Sequence, residues 1–168
     1  AIRGANGWMS GYVVPVMSGV LHGTIDVDGE RLDFAGGTGY HDHNWGFWDG
    51  VCWLWGEVQG DGRSFVYGRI LPRADAADAS RVPAFLMALG PDGPLGYATG
   101  VTIDESNRAG TDSPERITVR GRGPSLNLAL DFQVTQTTVT RTGERGFGSG
   151  LDFFQLRGRF HVSGEAGG

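Results

Sequence analysis

The sequence predicts an all-β fold, an antiparallel barrel or strongly curved sandwich of about eight to ten strands, and three observations carry that expectation. Most of the chain divides into short segments in which apolar and polar residues alternate with period 2. No helix-period pattern persists beyond two turns. The 30 glycines fall at turn-like intervals without a strict repeat, as many short strands require. Closing such a sheet removes its exposed edges and leaves room for one small ligand.

Trp8 to Met17 reads as a first strand, with Pro15 marking an edge or bulge, and Val20 to Asp28 as a second after a Ser-Gly turn. Asp28-Gly29 favours a type I′ turn into Arg31 to Gly36, so these three segments are expected to form a meander. The stretch from Gly39 to Gln59 supplies the next two strands. Asp61-Gly62 turns the chain into Ser64 to Leu71. Pro72 to Arg81 reads as a loop, followed by a hairpin of Val82 to Leu89 and Leu95 to Ile103 around Pro91-Asp92-Gly93-Pro94. After a charged loop over Asp104 to Pro114 come strands at Arg116 to Arg122, Ser125 to Thr140 and Gly150 to Val162. On the longest of these, Leu126, Leu128, Leu130, Phe132 and Val134 share one face and are the expected core.

The chemistry is concentrated in Gly39-Tyr40-His41-Asp42-His43-Asn44-Trp45-Gly46 and the following Trp53-Leu54-Trp55-Gly56-Glu57. Four of the five tryptophans, Trp48 among them, and two of the four histidines lie within the 19 residues from Gly39 to Glu57. Period 2 places Tyr40, Asp42 and Asn44 on one side of the first strand and His41, His43 and Trp45 on the other. On the second strand, Trp53, Trp55, Glu57 and Gln59 oppose Cys52, Leu54, Gly56 and Val58. Faces that combine tryptophan with carboxylates suit a partly wet cavity, because bare charges avoid dry cores and bare indoles avoid open solvent.

Composition narrows the function classes. At 168 residues and 39% apolar, the chain suits one core and is expected to be a single domain over residues 1–168. A net charge of −5 argues against a nucleic-acid surface. All 14 basic residues are arginine, which excludes a Schiff-base lysine. The single Cys52 forms no intrachain disulfide and is expected to be a small buried hydrophobe. No apolar run approaches the roughly 18 residues of a membrane span, and no signal peptide opens the chain, so a soluble cytoplasmic protein is expected.

Several chemistries compete for the aromatic stretch. His41 and His43 could begin a metal site, but it would need further donors, and Phe47 and Trp48 stand where a cupin pattern would have an acid. No metal or other cofactor is expected. Tyr40, Asp42 and Asn44 serve either as a hydrogen-bonded clamp or as a carboxyl and phenol facing a cavity, where burial would raise the acid toward neutrality. Trp53 and Trp55 are either core packing or an aromatic wall. Glu57 is either a rim or arginine-paired residue or an acid beside that wall, and Tyr67 on the neighbouring strand could complete the lining. A serine hydrolase lacks its Gly-x-Ser-x-Gly elbow, and Gly36-Gly37-Thr38-Gly39 lacks the helix and Lys-Ser/Thr of a phosphate loop.

The long motif Gly39 to Gly46, with Trp53-x-Trp55-Gly56 downstream, resembles the signature of the carotenoid 1,2-hydratase (hydroxyneurosporene synthase) and AttH-like superfamily. The resemblance covers some 20 residues. It implies a lipocalin-like β-barrel whose relatives hydrate, cyclise or rearrange polyene-like molecules without a redox cofactor, commonly with two barrels in one chain. Only about 38 residues precede the motif, too few for a full upstream barrel, so the partner half that the resemblance implies is expected to be missing from this sequence, separately encoded or supplied by a second subunit. The leading expectation is therefore acid/base hydration or cyclisation of a small hydrophobic polyene. Asp42, Glu57, His41, His43 and Tyr40 are the catalytic candidates, while Trp45, Trp53, Trp55, Tyr67 and Asn44 line the substrate. The alternatives are a pericyclase that works by folding the polyene, and a non-catalytic carrier of a small apolar ligand.

Overall fold

The computed structural model describes residues 2–3, 7, 9–47, 51–72, 84–142 and 152–167. Among them are thirteen strands and no helix. Strands β1 (Ile2–Arg3), β2 (Met9–Leu21) and β5 (Gly37–Phe47) form one sheet, and β3 (Thr24–Val27) pairs with β4 (Glu30–Asp33) in a small hairpin between them. A second sheet runs in simple order through β6 (Val51–Gly60), β7 (Arg63–Pro72), β8 (Phe85–Gly90) and β9 (Gly93–Ala98). A third does the same through β10 (Gly100–Asn107), β11 (Pro114–Gly123), β12 (Leu126–Arg141) and β13 (Asp152–Ala166). Every described pairing is antiparallel. These pairings do not join into a ring, so the all-β antiparallel class stands while the described sheets stay open.

Both Asp-Gly turns form as their chemistry requires. Asp28 and Gly29 have φ of 51° and 83°, and Asp61 and Gly62 have 51° and 71°, the paired positive values of a tight hairpin with the twist of its strands. The expected three-strand meander at the start does not form. Strand β2 runs through the supposed Ser-Gly turn and pairs with β5, and the chain reverses only after Leu21. Register shifts between Val13 and Val16 and between Val16 and Gly19 absorb the break, the first of them at Pro15, which has no N–H to give a ladder. Likewise, the strand expected over Leu95 to Ile103 is two strands, bent at Thr99 so that the chain passes from one sheet to the next. The loop predicted over 72–81 lies outside the described residues beyond Pro72.

The core fills the space between the second and third sheets. Leu126, Leu128, Leu130, Phe132 and Val134 are all buried there as their alternation requires, against Val58, Phe65, Tyr67, Leu86, Ala88, Ala98, Ile103, Ile117 and Val119. At one end Arg69 crosses between the sheets, donating to the Ile103 carbonyl and pairing with Glu105. Cys52 departs from expectation, since it is exposed near the start of β6 and not buried. Its face of the strand belongs to the core, but the packed part of that face begins at Leu54.

The β2–β5 hairpin covers the other face of the second sheet. Ser64 Oγ donates to the Met17 carbonyl at 2.8 Å, and Gln59 Nε2 reaches the carbonyls of Met17 and Gly39 at 3.4 and 3.3 Å. Three layers result, with β6–β9 in the middle. The part of the strand face that carries Trp55, Glu57 and Gln59 therefore meets the hairpin, while the opposite face is packed with apolar side chains.

Candidate active site between the hairpin and the middle sheet

Register places the site. Glu57 lies opposite Val66 and Trp55 opposite Gly68, and Phe85 on β8 is the next partner of Gly68, so Glu57, Trp55 and Phe85 share the face beneath the hairpin. Tyr12 on β2 pairs with Asn44 on β5, which brings it to the side of the hairpin shared by Tyr40 and Asp42. The Trp55 ring meets Tyr12 edge-on at 5.0 Å and Phe85 edge-on at 5.3 Å, while Tyr12 and Phe85 stack at 5.7 Å. Three rings in mutual contact form a wall, each pair adding about 0.5–1.5 kcal/mol beyond the area it buries.

A hydrogen-bonded chain crosses this wall. The Trp55 indole N–H donates to the Tyr40 hydroxyl at 2.8 Å, and that hydroxyl donates to Asp42 Oδ2 at 3.0 Å. Burial, joined by the Asp42 acceptor and the charges of Asp42 and Glu57, holds the Tyr40 phenol far above its ordinary range, against the pull of the Trp55 N–H. Tyr40 thus stays neutral and passes polarity between indole and carboxylate. Replacing it with phenylalanine strands both partners in a half-buried place, and Tyr40→Phe is expected to cost about 1–3 kcal/mol in denaturant unfolding.

Glu57 is the perturbed acid. Burial raises its carboxyl above the ordinary value of 4.5, opposed by hydrogen bonds from Gln59 and Ser64. The opposition from Ser64 is weak for a geometric reason. Its single hydroxyl hydrogen has two acceptors, the Met17 carbonyl at 2.8 Å and Glu57 Oε1 at 3.3 Å, and the shorter contact takes it. A carboxyl raised in this way binds a proton in the folded protein that the unfolded chain would release. Its contribution to stability is present at acid pH and is lost as pH rises from 4.5 through the folded value. Glu57→Gln is therefore expected to flatten the fall in unfolding free energy over that range and to stabilise the protein at neutral pH, which urea denaturation at a series of pH values would measure.

The remaining sequence candidates separate. His41 and His43 are exposed on the opposite face of β5 from Tyr40 and Asp42, as period 2 implied, so they stand apart from the Glu57 cluster. His43 stacks on Trp45 at 5.6 Å, and Trp45 lies flat over Gly11, where an added Cβ would sit 2.4 Å from the indole. Trp45 is thus a cover for a glycine on the neighbouring strand. Trp53 shares the Glu57 face but meets Phe153 edge-on at 5.4 Å and is partly exposed. Asn44 is exposed opposite Tyr12. Tyr67 points the other way into the core, 2% exposed, with its ring over Gly56, and burial followed by the Glu105 charge pushes its phenol up to about 12. Tyr12, Phe85 and Ser64 were not singled out from the sequence. All three lie in expected strands, but only the docking of the hairpin on the middle sheet brings them together.

Comparison of the chain with protein-family models, with curated proteins and with solved structures finds no match. Among the described residues no three His, Cys, Asp or Glu side chains converge as metal ligands, and no helix is long and apolar enough to cross a membrane. Two open clefts lie on the outward face of the β10–β13 sheet, and neither is lined by the residues of the aromatic wall. What the wall offers chemically is one acid poised toward protonation, one carboxylate engaged by a neutral phenol, and three ring faces beside them.

Proposed function

We propose that the protein is a cofactor-independent enzyme of the carotenoid 1,2-hydratase and AttH-like superfamily, lipocalin-like in architecture. It would act on a hydrophobic unsaturated substrate by hydration or cation-mediated cyclisation. The observation that carries the reading is the burial-raised Glu57 carboxyl on the same face as the Tyr12, Trp55 and Phe85 rings. The meander order of β6 to β13 and the bend from β9 to β10 support the lipocalin-like part.

In this reading Glu57 gives its proton to one carbon of an alkene, the π bond breaks as the new C–H bond forms, and a carbocation develops at the neighbouring carbon. The aromatic faces stabilise that cation by about 0.5–2 kcal/mol per ring. Water then bonds to the cation and loses a proton to Asp42. In a cyclisation a second double bond attacks, and Asp42 removes a proton from the resulting ring cation. Solvent returns the proton from Asp42 to Glu57, so the enzyme ends unchanged and no redox partner is needed.

Incubation with a panel of acyclic polyenes in heavy-oxygen water tests the proposal by mass spectrometry. Hydration gives a product heavier by one labelled water, and cyclisation gives an unlabelled isomer. Quenching of tryptophan fluorescence with every polyene recovered unchanged would overturn it in favour of a carrier.

A further inference from the structure

The outward face of the β10–β13 sheet takes no part in the chemistry above, and its residues fall into regular rungs. One rung reads Ser106, Arg116, Gln133, Arg159 across the four strands, and the next reads Asp104, Thr118, Asp131, His161. A cleft of about 550 Å³ opens there, lined among others by Ser106, Arg116, Asp131, Gln133, Arg159 and His161. The volume suits a small molecule more than a bare ion.

The charges of this cleft are arranged unequally. Arg116 grips Asp131 with two parallel contacts, through Nε at 2.7 Å and through Nη2, so the carboxylate is largely neutralised where it stands. The Arg116 hydrogen bond, with help from the nearby charges of His161 and Arg120, holds Asp131 below the ordinary carboxylate range. Across the sheet Arg159 forms no ion pair with a described carboxylate. It sits two residues from His161 on the same face of β13, a spacing of about 7 Å, which a phosphate flanked by two side chains can bridge. Gln133 lies between Arg116 and Arg159 and can donate through its amide, while Ser106 adds a hydroxyl. Glu115 is the other carboxylate of the lining.

We propose that this cleft binds a phosphate group, free or carried on a small organic ester, between Arg159, His161 and Gln133, with Arg116 as a second guanidinium. The free guanidinium fork of Arg159, the donors that Arg116 has left beside Asp131 and an imidazole suit a compact oxyanion, and the aromatic residue of the lining, Phe160, packs against the core. The site is independent of the aromatic wall.

Heteronuclear NMR on the intact chain, titrated with inorganic phosphate and separately with phenyl phosphate, tests the site. Shifts are expected at the Arg159 side-chain Nε–H and the His161 ring, with Arg159→Gln weakening binding at least tenfold. Asp131→Asn frees the Arg116 fork and removes the competing carboxylate, so it is expected to tighten binding about three- to tenfold. Asp28→Asn makes the same change of net charge in the exposed β3–β4 turn and is expected to change nothing. Tighter binding of phenyl phosphate than of inorganic phosphate would assign the site to an ester, and equal binding to the free ion. Absence of shifts at Arg159 and His161 at tens of millimolar phosphate, or equal effects of Asp131→Asn and Asp28→Asn, would overturn the proposal.

Discussion

Glu57→Gln is expected to lower turnover by about 10²–10⁴-fold while leaving the fold intact, because the amide keeps the shape and hydrogen-bonding reach of the side chain but has no proton to give. The size of the loss follows from what the residue does in the proposed cycle. An alkene is a weak base, and its protonation is the step with most charge development, so the donor is worth more than any ring that stabilises the resulting cation. Asp42→Asn is expected to fall in the same range, since the amide cannot take the proton that water or the ring cation loses. The two substitutions differ in their pH profiles. With Glu57 intact, activity is expected to fall as pH rises through the raised carboxyl value, and in the Glu57→Gln variant that limb disappears along with the rate. Near-wild-type rates in both variants, with turnover sensitive only to Trp55→Ala, would replace proton transfer by shape, and the enzyme would be a pericyclase.

Part of this arrangement is legible in the sequence because β-structure has an exact two-residue period. That period alone puts Tyr40 with Asp42, and Trp55 with Glu57, and it turns His41 and His43 away from Tyr40 and Asp42. It also finds the core residues of β12, all five of them buried. Period 2 says nothing about which face of a strand meets which layer, because that depends on how sheets dock. Tyr67 shows the consequence. It lies on β7 directly opposite Gly56, so it shares the core face and not the face of the tryptophans, and no local signal distinguishes the two registers. Cys52 departs from its expected burial for the related reason that a strand face can be core at one end and solvent at the other. The pairing of β2 with β5 is hidden because Ser18-Gly19 has turn composition, yet a bulge can absorb such residues without reversing the chain.

The position of Tyr67 makes a sharp distinction between substrate lining and core packing. Tyr67→Ala is expected to destabilise the protein by about 3–5 kcal/mol, the range for removing a large buried aromatic side chain. The ring is 2% exposed and lies on Gly56, where an added Cβ would come within 2.1 Å of it, so its loss opens a void that the stiff sheet beneath cannot collapse to fill. Tyr67→Phe keeps the ring over the glycine and is expected to cost under about 1.5 kcal/mol, since only the hydroxyl goes. A substrate-lining tyrosine would give the reverse pattern, with near-normal unfolding midpoints and an altered KM in both variants. Gly56→Ala supplies the complementary test from the other strand, because its methyl group must displace the same ring. Its destabilisation and that of Tyr67→Ala should be strongly non-additive in a double-mutant cycle, as expected for two side-chain positions that compete for one volume.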